Sequence, residues 1–251
     1  MERLSKNKLR QLLTFTKKKN RDEENLFLAE GNKLVQDLLP YFKCKTIVGT
    51  TDYFERERFD CATECYIATR EELERLSLTR SPQSVWALFE RKNYQLDFTA
   101  IEQTLSIALD GVQDPGNLGT IIRIADWFGI ENIICSPNCV DIYNPKVVQA
   151  TMGAIARVKV HYTELPQLIN AMKNLPIYGT FLEGEFIYDT PLSNKGIIVM
   201  GSEGNGISKE VGQLVNKKLF IPSYPPNRTT SESLNVAVAT SIICSEFRRR
   251  K

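Results

Sequence analysis

Apolar residues recur along the first part of the chain at spacings that predict a small α/β domain. Strands are predicted at four short apolar runs, 26–28, 46–48, 66–68 and 85–89. Helical spacing follows Gly31 and continues through Leu34 and Leu38, and a Glu-rich helix is predicted at 70–77. An amphipathic helix with a basic outer face is predicted before the first strand, from residue 4 to about 16.

The polar stretch 91–95 predicts a linker, so we divide the chain into domains 1–95 and 96–251. Strands of the second domain are predicted at 105–109, 132–135, 177–182, 197–200 and 218–221. Helices are predicted at about 118–128, 145–152, 164–174, 208–216 and 232–248. This alternation predicts a mostly parallel sheet covered on both faces, in which ligands bind at the carboxyl ends of the strands.

Charge is distributed unevenly, although the formal net charge is only +2. The first twenty residues hold seven basic side chains and one acid, and the chain ends in three arginines and a lysine. Both ends are therefore suited to contact a phosphate backbone, although solvated basic tails are an equal alternative.

Cysteine and histidine usage bears on metals and on catalysis. The six cysteines, with no export signal and no apolar run of about 20 residues, favour free thiols in a cytoplasmic protein. Cys61/Cys65 and Cys135/Cys139 are spaced C-x-x-x-C, which is not the usual zinc spacing, and no metal is expected. A histidine-based catalytic triad would rest on His161, the sole histidine, which is read instead as a surface or strand-end residue.

Three strand-to-helix turns carry the residues suited to chemistry. In the first turn, Pro115 and Gly116 precede Asn117, which is expected to cap a helix with a buried apolar stripe. Arg123 lies off that stripe, on the same face as Trp127, and a surface arginine packed on the tryptophan is the plainer interpretation.

The second turn, 201–206, follows a buried apolar strand. Gly201, Gly204 and Gly206 remove side chains so that a flat ligand can lie against the backbone, and the spacing matches no dinucleotide or nucleoside-triphosphate loop. Glu203 has no obvious structural duty within the turn, although it is also suited to the amino end of the next helix.

The third turn leaves the strand at Ile221 through a proline-rich loop. Thr229 and Glu232 have the spacing of a capping box. One helical face is then predicted from apolar and small residues, namely Leu234, Ala237, Val238, Ser241, Ile242 and Ser245. Asn235 interrupts this run and is suited to satisfy amides of the first helical turn.

Together and in this order, the three motifs resemble the SpoU/TrmH family of RNA ribose methyltransferases. The matching segments are Asn117-Leu118-Gly119-Thr120-Ile121-Ile122-Arg123, Gly201-Ser202-Glu203-Gly204-Asn205-Gly206 and Ser233-Leu234-Asn235-Val236. The segment Phe27-Leu28-Ala29-Glu30-Gly31 is similar to the small ribosomal-protein-like substrate-binding domain that often precedes the catalytic domain.

The resemblance implies a C-terminal α/β domain with a deep trefoil knot, a homodimer that uses the C-terminal helix, and S-adenosylmethionine held in the knot. It implies methylation of a ribose 2′-hydroxyl in structured RNA, with rRNA favoured over tRNA. Arg123 would act at the acceptor hydroxyl, and Asn117, Glu203, Ser233 and Asn235 would orient it. The implied cofactor contacts are Gly201, Ile221, Leu234, Gly204 and Gly206.

Two other classes of function compete with this interpretation. A non-catalytic RNA-binding protein that retains the fold is the alternative, and the intact set of Asn117, Arg123, Glu203 and Asn235 argues against it. A nucleotide-dependent oxidoreductase is disfavoured because no glycine fingerprint follows the first strands.

Overall fold

The computed structural model describes residues 1–57, 62–79, 81–172, 174–225 and 231–249. The chain forms two compact units. The first contains Met1–Asn93 together with Asp141–Ala156, and the second contains Tyr94–Val140 and Arg157–Lys251. The alternation of strands and helices gave no sign that Asp141–Ala156 belongs with the first unit.

The strands are, in chain order, β1 (Glu2–Arg3), β2 (Leu26–Glu30), β3 (Cys44–Gly49), β4 (Ala62–Ile67), β5 (Val85–Glu90), β6 (Leu105–Asp110), β7 (Asn132–Cys135), β8 (Lys159–Tyr162), β9 (Ile177–Phe186), β10 (Gly196–Gly201) and β11 (Lys217–Phe220). The helices are α1 (Lys6–Thr14), α2 (Lys18–Glu23), α3 (Asn32–Leu38), α4 (Thr51–Arg56), α5 (Arg70–Leu76), α6 (Phe98–Gln103), α7 (Pro115–Trp127), α8 (Pro145–Thr151), α9 (Leu165–Ala171), α10 (Lys209–Gly212) and α11 (Val236–Arg249).

The first unit is built on a mixed sheet with the order β1-β4-β3-β5-β2. Strands β1, β4 and β3 are mutually parallel, and β5 runs antiparallel to both β3 and β2. Consequently β2, β3 and β4 all end at the same edge of the sheet. Burial of every residue of β2 explains its continuous apolar sequence, because both faces of this strand are covered.

The second unit is built on a sheet in which every pairing is parallel, with the order β11-β9-β10-β6-β7-β8. This confirms the predicted α/β class and the parallel C-terminal sheet. Within this sheet, β6 comes first in the sequence, and β7 and β8 follow on one side of it. The chain then crosses to the other side of β6, where β9, β10 and β11 lie. Strands β6 and β10 are therefore the central pair at which the strand order reverses, the usual ligand position in an open parallel sheet.

The predicted C-terminal helices differ from the structure in length and in orientation. Helix α10 is short, and α11 begins at Val236 rather than at 232; the predicted capping residue Thr229 lies outside the described residues. The buried side of α11 consists of Val236, Ala237, Thr240, Ile243, Cys244, Glu246 and Phe247. The predicted face is therefore not the side that packs on the chain's own core, since Val238 is 50% exposed.

His161 and most of the described cysteines are buried in this fold. His161 is buried on β8, not at the surface, and its Nε2 atom lies 3.3 Å from Asn132 Oδ1. Burial lowers the pKa of His161, so the ring is neutral near pH 7. Cys135 and Cys139 are buried free thiols, whereas Cys61 lies outside the described residues. Within the described ranges, no cluster of three or more metal-ligating side chains occurs, and no helix is long and apolar enough to cross a bilayer.

Candidate active site

The candidate site lies where the two central strands of the parallel sheet end. Asp110, the last residue of β6, is in register with Gly201, the last residue of β10. The first two motifs therefore start side by side, although 201 and 110 are far apart in the sequence. Parallel pairing of two buried apolar strands is what brings them together.

The first motif begins its helix three residues earlier than a capping role of Asn117 would require. Pro115 occupies the first turn of α7, where its fixed φ and missing N–H are tolerated. Asp114 caps the helix, because its Oδ1 accepts a 2.8 Å hydrogen bond from the Asn117 backbone nitrogen. The prediction that Asn117 is the cap is wrong, and its side chain is left available for other contacts.

The second motif is a tight turn closed by its own backbone. The Ser202 nitrogen donates to the Gly206 oxygen over 3.1 Å, and the Gly206 nitrogen donates back to the Ser202 oxygen over 2.9 Å. A Cβ atom on Gly201 would collide with the backbone of Gly206 and Ile207. Glycine at 201 is therefore required by the turn itself, and this requirement is independent of any ligand.

Gly204 and Gly206 differ from Gly201 because a Cβ atom at either would meet no described atom within 4 Å. Gly206 has a φ of +65°, which by itself favours glycine. Gly204 has neither a close neighbour nor a positive φ, so the fold alone does not demand glycine there.

Asp110 fastens the glycine turn to the end of β6. Its Oδ2 atom accepts a 2.7 Å hydrogen bond from the Ser208 backbone nitrogen, and its side chain is largely buried. The sequence analysis missed this residue. A buried acid at the end of an apolar strand, directly before a glycine, was the available signal.

The third motif caps the last helix through Asn235. The side-chain oxygen Oδ1 accepts hydrogen bonds from the backbone nitrogens of Ala237 over 3.0 Å and Val238 over 3.2 Å. These are amides of the first turn of α11, which have no partner within the helix. The plainer interpretation of Asn235, satisfaction of exposed amides, is therefore correct for one half of its side chain.

The other half of the Asn235 amide joins all three motifs. Its Nδ2 atom donates to Asn117 Oδ1 over 2.9 Å and to Glu203 Oε1. With both N–H groups and the oxygen engaged, the orientation of the amide is fixed, because a flip would place NH₂ against two N–H donors. We call Asn117, Glu203 and Asn235 the amide–carboxylate cluster. It brings together three of the five predicted catalytic residues.

Arg123 and Ser233 do not join the cluster by hydrogen bonds within the described residues. Arg123 is exposed on α7, six residues after Asn117, which is about 9 Å along a helix axis. No cation–π contact joins Arg123 to Trp127 in the described part of the chain. Arg123 forms no ion pair with a described residue either, and it is exposed, as a surface arginine is.

The residues predicted to hold the cofactor lie near the cluster residues in the sequence, and they differ in exposure. Leu234, next to Asn235, is 47% exposed, and Ile221 is half-buried directly after β11. An exposed leucine beside a polar cluster offers an apolar surface that a flat ring can cover. Together with the open space at Gly204, these residues fit a ligand that has an apolar ring and a polar tail. The loop residues 226–230 lie outside the described residues.

Comparison with known proteins identifies the family of the chain. The sequence matches the SpoU rRNA Methylase family over residues 104–245 and the MRM3-like substrate binding domain over residues 6–87. The 23S rRNA (guanosine(2553)-2′-O)-methyltransferase RlmP of Bacillus subtilis is 30% identical over 238 residues, which are 92% of each protein.

Two solved structures are similar along the whole chain. A putative RNA methyltransferase of the TrmH family from Porphyromonas gingivalis is 38% identical, with a TM-score of 0.86 and 99% of both chains covered. An AdoMet-bound rRNA methyltransferase from Sinorhizobium meliloti is 29% identical, with a TM-score of 0.83 over 100% of this chain and 98% of that one.

The fold and the site thus define an RNA methyltransferase that takes its methyl group from S-adenosylmethionine. The chain belongs to the SpoU rRNA methylase family and carries an MRM3-like substrate-binding domain before the catalytic domain.

Proposed function

We propose that the protein methylates a ribose 2′-hydroxyl of ribosomal RNA. The observation that carries this proposal is the amide–carboxylate cluster, which joins the three motifs at the carboxyl ends of the central strands. The relative RlmP is a 23S rRNA guanosine 2′-O-methyltransferase, which favours rRNA over tRNA as the substrate class.

The task of the site is to hold a hydroxyl in line with a methyl group that is already activated. When bound, S-adenosylmethionine supplies a sulfonium methyl group that needs no further activation. A ribose hydroxyl is a poor nucleophile at neutral pH, so its alignment and the removal of its proton limit the reaction. The residues of this chain therefore act on the hydroxyl and on its phosphate.

Arg123 is proposed to contact the acceptor ribose. A guanidinium stays protonated above pH 12 in most settings, and Arg123 is exposed, so it acts by electrostatic activation and phosphate clamping rather than as a base. Asn117, Glu203 and Asn235 hold the three loops in a fixed arrangement around it. Ser233, exposed and directly before Leu234, is proposed to contact substrate or cofactor.

The cofactor is proposed to lie against Gly204, Gly206, Ile221 and Leu234. Gly201 contributes by permitting the turn. The predicted trefoil knot, formed by threading of the C-terminal segment, stays part of this proposal, as does a cytoplasmic location.

A homodimer is proposed to cover the exposed apolar residues of the catalytic unit. Trp127 on α7 is 85% exposed, Val238 on α11 is 50% exposed, and Ile242 is half-buried one turn further on. The two helices pack side by side, since Asn235 bonds Asn117 at one end and Arg248 donates to the Phe128 carbonyl over 2.8 Å at the other. In sedimentation at micromolar concentration, the parent is expected to be a dimer and the Trp127→Glu variant a monomer. A monomeric parent would contradict the proposed homodimer.

The first unit is proposed to select RNA. Its α1 helix presents Lys6 and Arg10 to solvent, and it matches a substrate-binding domain. Affinity for RNA is expected to fall steeply with salt as phosphate contacts are lost.

The decisive experiment is transfer of labelled methyl groups from S-adenosylmethionine to 23S rRNA transcribed in vitro, followed by nuclease digestion and mass spectrometry of the nucleosides. A 2′-O-methylated nucleoside is expected. RNA binding without cofactor binding or methyl transfer would instead support the alternative, a non-catalytic RNA-binding protein.

A further inference from the structure

A polar groove lies in the first unit, away from the residues of the amide–carboxylate cluster in sequence. It has a volume of about 480 Å³, within the range of roughly 300–1,000 Å³ that is usual for small-molecule sites. Its lining comes from the segments that directly follow β2, β3 and β4 and from the loop before β5. It therefore occupies the edge at which the parallel strands of this sheet end, where open α/β sheets bind ligands.

Two cations in the groove have no anionic partner within the described residues. Arg56 at the end of α4 and Arg70 at the start of α5 are exposed and line the groove. Asp52 and Glu74 line it too, yet no described carboxylate lies within 4.0 Å of either guanidinium. The arginines are therefore available to an external anion, and the two arginines and two carboxylates give the lining no net charge.

Two lining residues each have an amide atom with no hydrogen-bond partner within the described residues. Ser84 Oγ donates to Asn32 Oδ1 over 2.6 Å, and Asn32 Nδ2 has no partner among the described residues. Gln83 Nε2 donates to the Ser81 carbonyl over 2.9 Å, and Gln83 Oε1 has no hydrogen-bond partner among the described residues. Both residues line the groove.

A lining with no net charge and with amide groups that lack partners suits a nucleobase better than a bare phosphate. Asn and Gln amides pair with base edges, and Asp and Glu carboxylates accept from the exocyclic amino groups of bases. Unpaired RNA nucleotides expose such edges, and the phosphates on either side are natural partners for Arg56 and Arg70.

We propose that this groove binds one unpaired nucleotide of the substrate RNA, with Asn32 and Gln83 on the base edge and Arg56 and Arg70 on the flanking phosphates. The proposal rests on the RNA-modifying function stated above and makes the first unit a reader of a nucleotide distinct from the methylated one.

The test uses the full-length protein and 23S rRNA transcribed with 4-thiouridine in place of part of its uridine. The Arg56→Gln/Arg70→Gln double variant is expected to bind this RNA about tenfold more weakly, with a shallower dependence on salt. Arg75→Gln is the matched control, because Arg75 is exposed on the same helix as Arg70 but does not line the groove. It should change the affinity less than twofold.

Near-ultraviolet crosslinking locates the contact directly. Crosslinked nucleotides are expected on peptides that contain residues 31–33 and 82–84, and Asn32→Ala or Gln83→Ala should lower their yield at unchanged cofactor affinity. Crosslinks confined to other peptides, or equal RNA affinity of the double variant and Arg75→Gln, would overturn the proposal. If either of those two results is found while methyl transfer is normal, only the groove proposal is rejected. If crosslinks form in the groove but no methyl group is transferred, only the proposed function is rejected.

Discussion

Asn235→Asp separates the two duties of Asn235, and the structure gives the size of the effect. A carboxylate still accepts from the Ala237 and Val238 nitrogens, and Asp and Asn are nearly equal helix caps, so α11 should keep its stability. The carboxylate cannot donate to Asn117 or Glu203, however. Two side-chain hydrogen bonds of about 0.5–1 kcal/mol each are lost.

Repulsion from Glu203 adds to this loss. Two carboxylates about 4 Å apart in an exposed setting repel by about 1 kcal/mol. A total of about 2–3 kcal/mol corresponds to a fall of about 30- to 150-fold in methyl transfer at saturating cofactor, since about 1.4 kcal/mol is tenfold in rate. Single-turnover transfer to 23S rRNA and the melting temperature should be measured on the same preparations.

Controls and rescue make this prediction specific. Asn205→Asp makes the same change in the glycine turn that carries Glu203, outside the cluster, and should retain most of the activity. Glu203→Gln keeps an acceptor for Asn235 and reports only the need for charge. In the double variant Glu203→Gln/Asn235→Asp, the new amide can donate to the new carboxylate, so part of the lost rate should return. If Asn235→Asp transfers methyl groups as fast as the parent, the cluster does not organise the site.

Three further changes give distinct outcomes. Arg123→Ala should lower methyl transfer by several orders of magnitude at unchanged melting temperature and cofactor affinity, with Arg123→Lys also poor because an ammonium lacks the planar fork; near-parental turnover contradicts its role. Gly204→Ala should weaken cofactor binding, measured by calorimetry, without changing the stability of the fold, whereas Gly201→Ala should lower that stability. If the two variants have the same cofactor affinity and the same stability, no ligand lies against Gly204. The pKa of His161 is lowered in the folded protein, so the unfolded chain takes up this proton first, and the stability of the fold decreases as the pH drops below about 6.5. In thermal melts, the melting temperature of His161→Gln should decrease less with falling pH than that of the parent. An equal decrease in both proteins would show that His161 is not the cause.

The sequence predicted the strands that are buried apolar runs, because such runs are a local signal. It missed β1 and β8, which are short and mostly exposed. Helix ends were predicted less well: a start at 232 was expected for α11, but the helix begins at Val236 because Asn235 supplies the cap. The same applies to α7, where Asp114 rather than Asn117 satisfies the first amides. Capping depends on backbone geometry that residue types alone leave open.

Motif spacing identified Asn117, Glu203 and Asn235, but it did not show that they bond to one another. That contact joins residues 118 positions apart and depends on the order of the strands. For Gly201, the sequence identified the residue but not why it must be glycine. Backbone packing requires glycine there, and a Gly-rich pattern looks the same whether packing or a ligand is the cause. Asp110 was missed because its partner is a backbone nitrogen 98 positions away.

The placement of Asn235 at the start of α11 also ties assembly of the amide–carboxylate cluster to the order of synthesis. Asn117 and Glu203 are synthesised before α11, and until that helix forms, neither has the amide that joins them. A nascent or prematurely terminated chain that lacks α11 therefore cannot assemble the cluster. Incomplete copies of this protein are expected to be silent toward RNA methylation even when their sheets have folded.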